Sequence, residues 1–331
     1  MERNVALKER AAEPYAIEVS PDVALTLLDL PVDMEGFHHF IGIWLIQDRH
    51  LGKTLLVDVG PASASPLLLE RLSDLGVRAV DFLLLTHVHI DHAGGVGHLA
   101  KAFPGLKVIA PEKGKRHLVD PSALWEGSLK TLGKVAEIYG KMIPLPGDRL
   151  IEGLDGVTSI DTPGHAPYHN SYVYAASGCK ILFPGEAAGV FLPKGLAYPD
   201  GASAGFPYIR PATPPKFFFD VTLESLKKVE AVDAEWICYP HFGPSHEPEN
   251  LLRLHEGQLF QFKDTTVRAV KEGAGEGEEA VDIILSRLLE EDPLLSEFAR
   301  LPEDIRSRER FFLQNSIRGF LDYVQREGLK A

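Results

Sequence analysis

Between Thr86 and Gly95 the chain reads Thr-His-Val-His-Ile-Asp-His-Ala-Gly-Gly, which sets His87, His89, Asp91 and His92 within six consecutive positions. The apolar run Phe82-Leu83-Leu84-Leu85 comes directly before it and reads as a buried strand. Neutral imidazole and carboxylate are the preferred protein ligands for zinc, iron and manganese. A strand that ends in such a cluster holds its ligands at a rigid edge while leaving them open to substrate. The same placement recurs downstream. His165 follows an apolar-alternating run at 158–161, Glu186 follows 180–183, and His241 follows 236–239. A solvated, histidine-rich loop accounts for the first cluster alone, but not for four strand ends that each carry ligand types. Their convergence at one edge of a sandwich is the expectation.

The pattern along the rest of the chain fits that edge into a fold. Strand-like runs at 24–28, 40–46 and 54–60 are separated by Gly, Pro and charged residues. Helical spacing at 66–75 ends before Gly76, a C-cap residue. After the histidine cluster come a glycine-opened helix at 94–103, a strand at 107–110 and a helical segment at 124–139. The second half repeats the plan, with strands at 158–161, 171–174, 180–183 and 236–239 and a helix at 219–232. Two β-rich halves, each closed by helices, predict an α+β protein in which two sheets pack face to face with helices outside. From 248 onward Leu251, Val281, Ile284, Leu288, Phe312, Ile317 and Phe320 mark three amphipathic helices in a highly charged stretch. The expected division is 1–247 as the catalytic domain and 248–331 as a helical extension. Within the first, a proline- and glycine-rich insertion at 189–215 has the length of a functional lid.

Charge and composition narrow the function classes. With 34 basic against 47 acidic residues the formal net charge is −13, which disfavours binding to nucleic acid or to an anionic membrane. Only Cys179 and Cys238 are present, both in apolar strand-like contexts, so no disulfide framework is expected. The first ten residues lack a continuous apolar segment, and no uninterrupted apolar run approaches the roughly 20 residues of a membrane span. A soluble, cytoplasmic enzyme acting on a small molecule is expected.

The set His87-x-His89-x-Asp91-His92, His165, Glu186 and His241 resembles that of the metallo-β-lactamase-fold superfamily over roughly 23–243. The resemblance implies a four-layer αββα sandwich with the C-terminal helices outside it. It also implies that His87, His89 and His165 bind one divalent ion and that Asp91, His92 and His241 bind a second. Glu186 would take the place of the bridging carboxylate, where the family usually has aspartate. Asp58, in Asp58-Val59-Gly60, matches a supporting residue of the family's pattern. The cofactor would be two divalent ions, zinc or iron or manganese.

The implied activity is hydrolysis of an ester, thioester or lactone by a metal-bound hydroxide, of the kind catalysed by lactonase-like and glyoxalase II-like members. Asp91 is the expected proton carrier, being the only acid inside the cluster. Tyr208, with Tyr198 as second choice, is the expected donor to a developing oxyanion. Two other readings remain. One is an iron dioxygenase similar to persulfide dioxygenases, with a single iron on His87, His165 and Glu186. The other is a metal-bound binding or regulatory protein without turnover. His38 and His39 are candidates for a pocket wall, and His169 for a hydrogen-bonding support. The apolar faces of the C-terminal helices fit either core or a homodimer contact.

Overall fold

The computed structural model describes residues 11–193 and 207–328. Its first sheet has six strands in chain order: β1 (Tyr15–Ser20), β2 (Val23–Asp29), β3 (Gly42–Asp48), β4 (Lys53–Val57), β5 (Phe82–Leu84) and β6 (Lys107–Ile109). The first four pair antiparallel, whereas β4, β5 and β6 run parallel. Helices α1 (Ser65–Asp74), α2 (Ile90–Ala93) and α3 (Val96–Ala102) connect the parallel strands. After β6 come α4 (Lys115–Val119), α5 (Ser122–Leu132) and α6 (Lys134–Tyr139).

The second half supplies β7 (Val157–Asp161), β8 (Asn170–Ala176) and β9 (Cys179–Phe183), then the small hairpin of β10 (Val190–Leu192) and β11 (Tyr208–Arg210). Helix α7 (Phe219–Glu230) follows, then β12 (Trp236–Cys238) and β13 (Pro244–Ser245). The second sheet has the order β13-β12-β9-β8-β7, and β12 lies parallel to β9. Three helices close the chain: α8 (Pro248–Lys271), α9 (Glu278–Glu291) and α10 (Glu303–Arg326).

Strand periodicity explains the layers. Alternate residues of the first sheet, Leu25 and Leu27, Trp44 and Ile46, Leu55 and Val57, share one core with Tyr172, Tyr174 and Phe183 of the second sheet. Their neighbours Leu28, Ile43, Leu45, Leu56 and Leu83 face the other way and pack on Leu67, Leu72, Val96 and Leu99 of the outer helices. Side chains of a strand point alternately to its two faces, so a strand covered on both is apolar throughout. Strand β2 comes close to this: it is buried along its whole length and apolar except at Thr26 and its last residue, Asp29. Polar side chains also tie the sheets together. Trp44 Nε1 donates to the Tyr239 carbonyl at 2.9 Å, the Tyr172 hydroxyl to the Leu85 carbonyl at 2.9 Å, and the Tyr174 hydroxyl to Asp48 at 2.6 Å.

The core between the sheets continues without a break into the C-terminal helices, through Leu251, Leu259, Phe262, Ile284, Leu288, Ile317 and Phe320. The α+β fold with two sheets and helices on the outer faces is as expected. Four details differ. Strand β1 and the β10–β11 hairpin carried no sequence signal that was read. The helical segment expected at 124–139 is split at Gly133, whose φ of 54° breaks the helix. The helix after the histidine cluster begins at Val96, and a separate short turn, α2, holds Asp91 and His92. The ends of the expected lid at 189–215 form the hairpin, while Tyr198 lies outside the described residues. Among the described residues no helix is long and apolar enough to cross a membrane.

Candidate metal centre

Strands β5, β7, β9 and β12 each end where a ligand residue begins. Strands β7 and β9 both pair antiparallel with β8 and so run the same way, as β12 does beside β9. Their C-terminal ends therefore lie at one edge, and the backbone bridge between His87 and His169 joins the β5 end to it. Close approach is enforced by two glycines. A Cβ at Gly94 would stand 2.2 Å from the Ile90 carbonyl oxygen, and one at Gly185 would stand 2.3 Å from His169 Nε2, where φ is also +55°.

The seven expected ligands meet there. His87, His89 and His165 form one set, and Asp91, His92 and His241 another, with the ligand atoms of each set within 4.8 Å of one another. In the first set His89 Nδ1 is 2.9 Å from His87 Nε2 and 3.1 Å from His165 Nε2. In the second, His92 Nε2 and His241 Nε2 are 3.1 Å apart, with Asp91 Oδ2 at 3.7 and 3.9 Å. Glu186 Oε1 stands between the sets, 3.0 Å from His92, 3.2 Å from His241 and 3.5 Å from His165. The Glu186 side chain is buried, and its Oε2 has no hydrogen-bond partner.

Proton placement tests whether this arrangement suits a metal. His241 Nδ1 lies 2.7 Å from the Phe40 carbonyl oxygen, and His165 Nδ1 lies 2.8 Å from that of Ala212. A carbonyl only accepts, so both Nδ1 atoms carry the proton and both Nε2 atoms present lone pairs. His92 Nδ1 likewise faces the Asp58 carboxylate at 2.8 Å. Asp58 also accepts from the Thr86 backbone N–H and hydroxyl, which leaves the Thr86 oxygen to accept from His87 Nδ1 at 3.1 Å. Lone pairs thus point at one another at about 3 Å, roughly the edge of a tetrahedron with ligands 2.0–2.1 Å from a cation. Partners on the second ring nitrogen fix the tautomer and orientation of a metal-binding histidine in the same way.

The electrostatics agree. Burial pushes His87 well below its usual range and, with His165 beside it, lowers His89 to about 4, so both rings are neutral at pH 7. Burial also opposes charge on His92, but Glu186, Asp91 and Asp58 together outweigh it and raise that ring well above the ordinary value. For Glu186, burial favours the neutral acid, yet His165, His92 and His87 hold the carboxyl well below the usual range. The acids that raise His92 call for positive charge beside His87 and His89, which stay neutral, and the ring nitrogens are aimed to supply a cation's ligands. The residues fit a divalent-metal centre.

Asp91 is the accessible acid of the group, its side chain 19% exposed against 3% for Glu186. His169 is fully buried, takes the Glu186 backbone N–H on Nε2 at 3.2 Å and bonds Thr162 through Nδ1 at 2.9 Å. It acts as the support expected of it. His39 and His38 sit beside the centre, at the edge where the Phe40 ring stacks on His241 at 4.3 Å.

Tyr208 is placed differently from the expectation. It is fully buried in β11, and its hydroxyl donates to Glu309 at 3.2 Å, so a role as donor to substrate is not carried forward. Its partner belongs to a group that sequence reading missed. Arg210 Nε contacts Glu309 Oε2, and Arg308 Nε is 2.9 Å from Glu309 Oε1. A signal did exist. Along α10 the inward positions Ile305, Leu313, Ile317 and Phe320 follow helical spacing, and Arg308 and Glu309 fall on that face, 3% and 0% exposed.

Comparison with known proteins follows the geometry. Residues 40–241 match the profile of the metallo-beta-lactamase superfamily. A metallo-beta-lactamase fold-containing protein of Sulfurisphaera tokodaii is 27% identical over 227 residues, 63% of this chain and 77% of that protein. A hydroxyacylglutathione hydrolase of Serratia proteamaculans is 29% identical over 180 residues, 50% of this chain. The chain spans only 58% of that hydrolase's length. Among solved structures, a metallo-beta-lactamase family protein of Thermus thermophilus superposes with a TM-score of 0.57 at 22% identity, over 92% of this chain and 94% of the other, a likeness of fold.

Proposed function

The chain belongs to the metallo-β-lactamase superfamily, and from that footing we propose that it is a hydrolase using two divalent ions to cleave a small-molecule ester, thioester or lactone. The supporting observation is the position of Glu186 Oε1 between two complete sets of nitrogen and oxygen ligands. His87, His89 and His165 would hold one ion, Asp91, His92 and His241 the other, and Glu186 would face both. Ions held there supply a water acidic enough to be deprotonated near neutral pH and an electrophile for a carbonyl oxygen.

The protein's own side chains do the rest. Asp58 and the Phe40 and Ala212 carbonyls keep His92, His241 and His165 in the tautomer that leaves Nε2 free. Asp91, the more accessible acid of the centre, is the group placed to take a proton from water and pass it to a departing oxygen or sulfur. Burial of Glu186 and His87 keeps bulk water from the far side of the centre. The hydrolase relatives support the thioester branch of the proposal. Glu186 stands closer to His92 and His241 than to His165, which favours two ions over a single iron on His87, His165 and Glu186.

Elemental analysis joined to turnover assays tests the proposal. Two divalent ions per chain, with hydrolysis of acyl thioesters, esters or lactones, is the expected result. One iron with oxygen consumption would replace it by the oxygenase reading. Full metal occupancy without turnover on any of the three classes would make the protein a binder.

A further inference from the structure

We infer that helix α10, outside the segment matched to the family, is the outer support of both ion sites: Arg308 fixes His241 in one set, and Ser316 fixes His165 in the other. The inference rests on the two-ion reading given above.

The first route runs through Phe40. Arg308 Nη1 donates to the carbonyls of Gly36 at 2.5 Å and His38 at 2.8 Å, clamping the segment that leads into Phe40. Its guanidinium lies over the Phe40 ring, 4.7 Å from the centroid. His241 stacks on the same ring at 4.3 Å and 18°, and the Phe40 carbonyl takes the His241 Nδ1 proton at 2.7 Å. Glu309, fully buried, holds Arg308 through Nε at 2.9 Å and so fixes the plane of the fork. A shift of Arg308 therefore moves both the ring that His241 stacks on and the oxygen that orients it.

The second route runs through Ala212. Two turns further along α10, the Ser316 hydroxyl donates to the Pro211 carbonyl at 2.9 Å, and the Thr213 hydroxyl donates to the Ser316 carbonyl at 3.1 Å. These bonds bracket Ala212, whose carbonyl receives His165 Nδ1 at 2.8 Å. The helix can come this near because residue 319 is glycine, where a Cβ would stand 2.4 Å from the Pro214 carbonyl oxygen. One helix thus touches the backbone on either side of the centre, and each contact ends on a different ligand histidine. Arg308 and Ser316 are positioning residues, since neither reaches an ion.

Two separate routes make a double dissociation the test. Metal-free protein is titrated with Co²⁺, and the two binding steps are assigned by the absorption spectra of His165→Ala and His241→Ala, each of which retains one set intact. Arg308→Met should weaken the ion of the His241 set about 10- to 100-fold and leave the other step in place. Ser316→Ala should weaken the ion of the His165 set about 10-fold and spare the first. Arg308→Lys, which keeps a cation near the two carbonyls but loses the planar fork, should recover part of the loss. Arg318→Gln, on the same helix but paired with Glu278 of α9, should bind both ions as wild type does.

Equal weakening of both steps by either variant, or no weakening in folded protein, would overturn the inference. If Arg308→Met does not fold, Arg308→Lys and Ser316→Ala decide the matter by the same readout. Wild-type protein that binds fewer than two ions would instead defeat the two-ion reading, a failure seen before any variant is made.

Discussion

Two buried polar clusters lie a few side chains apart in this molecule, and they are finished in opposite ways. Around Glu309 both carboxylate oxygens are taken up within the chain, by the guanidiniums of Arg210 and Arg308, with Tyr208 donating as well. Around Glu186 the partners are histidine nitrogens already committed, on their other ring atom, to carbonyls and a carboxylate. The Glu309 carboxylate is satisfied by protein groups alone, although Arg308 Nη2 beside it has no partner. The second cluster is complete only with cations. Glu186 and Glu309 are both buried, so burial alone does not mark a functional centre. What marks it is a set of ring nitrogens and carboxylate oxygens aimed at one another about 3 Å apart.

The largest effect expected from that contrast is at His165. His165→Ala should abolish tight binding of one ion and reduce turnover to background, measured by elemental analysis and steady-state rates. Wild-type activity in that variant would place the chemistry elsewhere. The Glu309 cluster should respond in stability rather than in chemistry. Glu309→Gln leaves two buried guanidiniums without a counter-charge and should cost about 3–5 kcal/mol, read from denaturant melts. The loss should be the same size with and without metal, and a loss confined to the metal-loaded form would show that the two clusters are not separable in this way.

Metal itself gives the converse result. Divalent ion at 100 times its dissociation constant should raise the stability of wild type by about 2.7 kcal/mol for a single site, and His165→Ala should gain less. The smallest effect is in acid. Burial alone would raise the Glu309 carboxyl, but Arg210 and Arg308 outweigh it and hold it below the usual range. A depressed carboxyl adds stability that is fully present above the unfolded value near 4.3 and is lost as pH falls through the folded one. The gap between wild type and Glu309→Gln should therefore stay constant from pH 7 to about 5 and narrow below about 4.3. A gap that widens in acid would reverse the sign and remove the ion pairs as its cause.

Legibility in the sequence followed how locally each feature is built. His87, His89, Asp91 and His92 are close in the chain because one turn after one strand carries them all, and the apolar run before them is the strand itself. His165, Glu186 and His241 could be read because each repeats that strand-then-ligand grammar. The layered fold was readable for a similar reason, since alternate residues of β3 face different cores. Tyr208 shows the limit. A tyrosine in a proline-rich insertion looks like a substrate contact, yet pairing of β11 with β10 turns it inward to Glu309.

Residue types and their spacing determined the candidate ligand set, the strand ends that bear it and the presence of three amphipathic helices at the end of the chain. Only the tertiary structure decided which nitrogen of each histidine is free, because that depends on backbone carbonyls at Phe40 and Ala212, and a carbonyl has no letter of its own. It also decided that α10 lies against both of those carbonyls' segments. Such contacts join positions up to 272 residues apart, as from Arg308 to Gly36. At that separation neither spacing nor periodicity carries a signal, and the packed core alone brings the partners together.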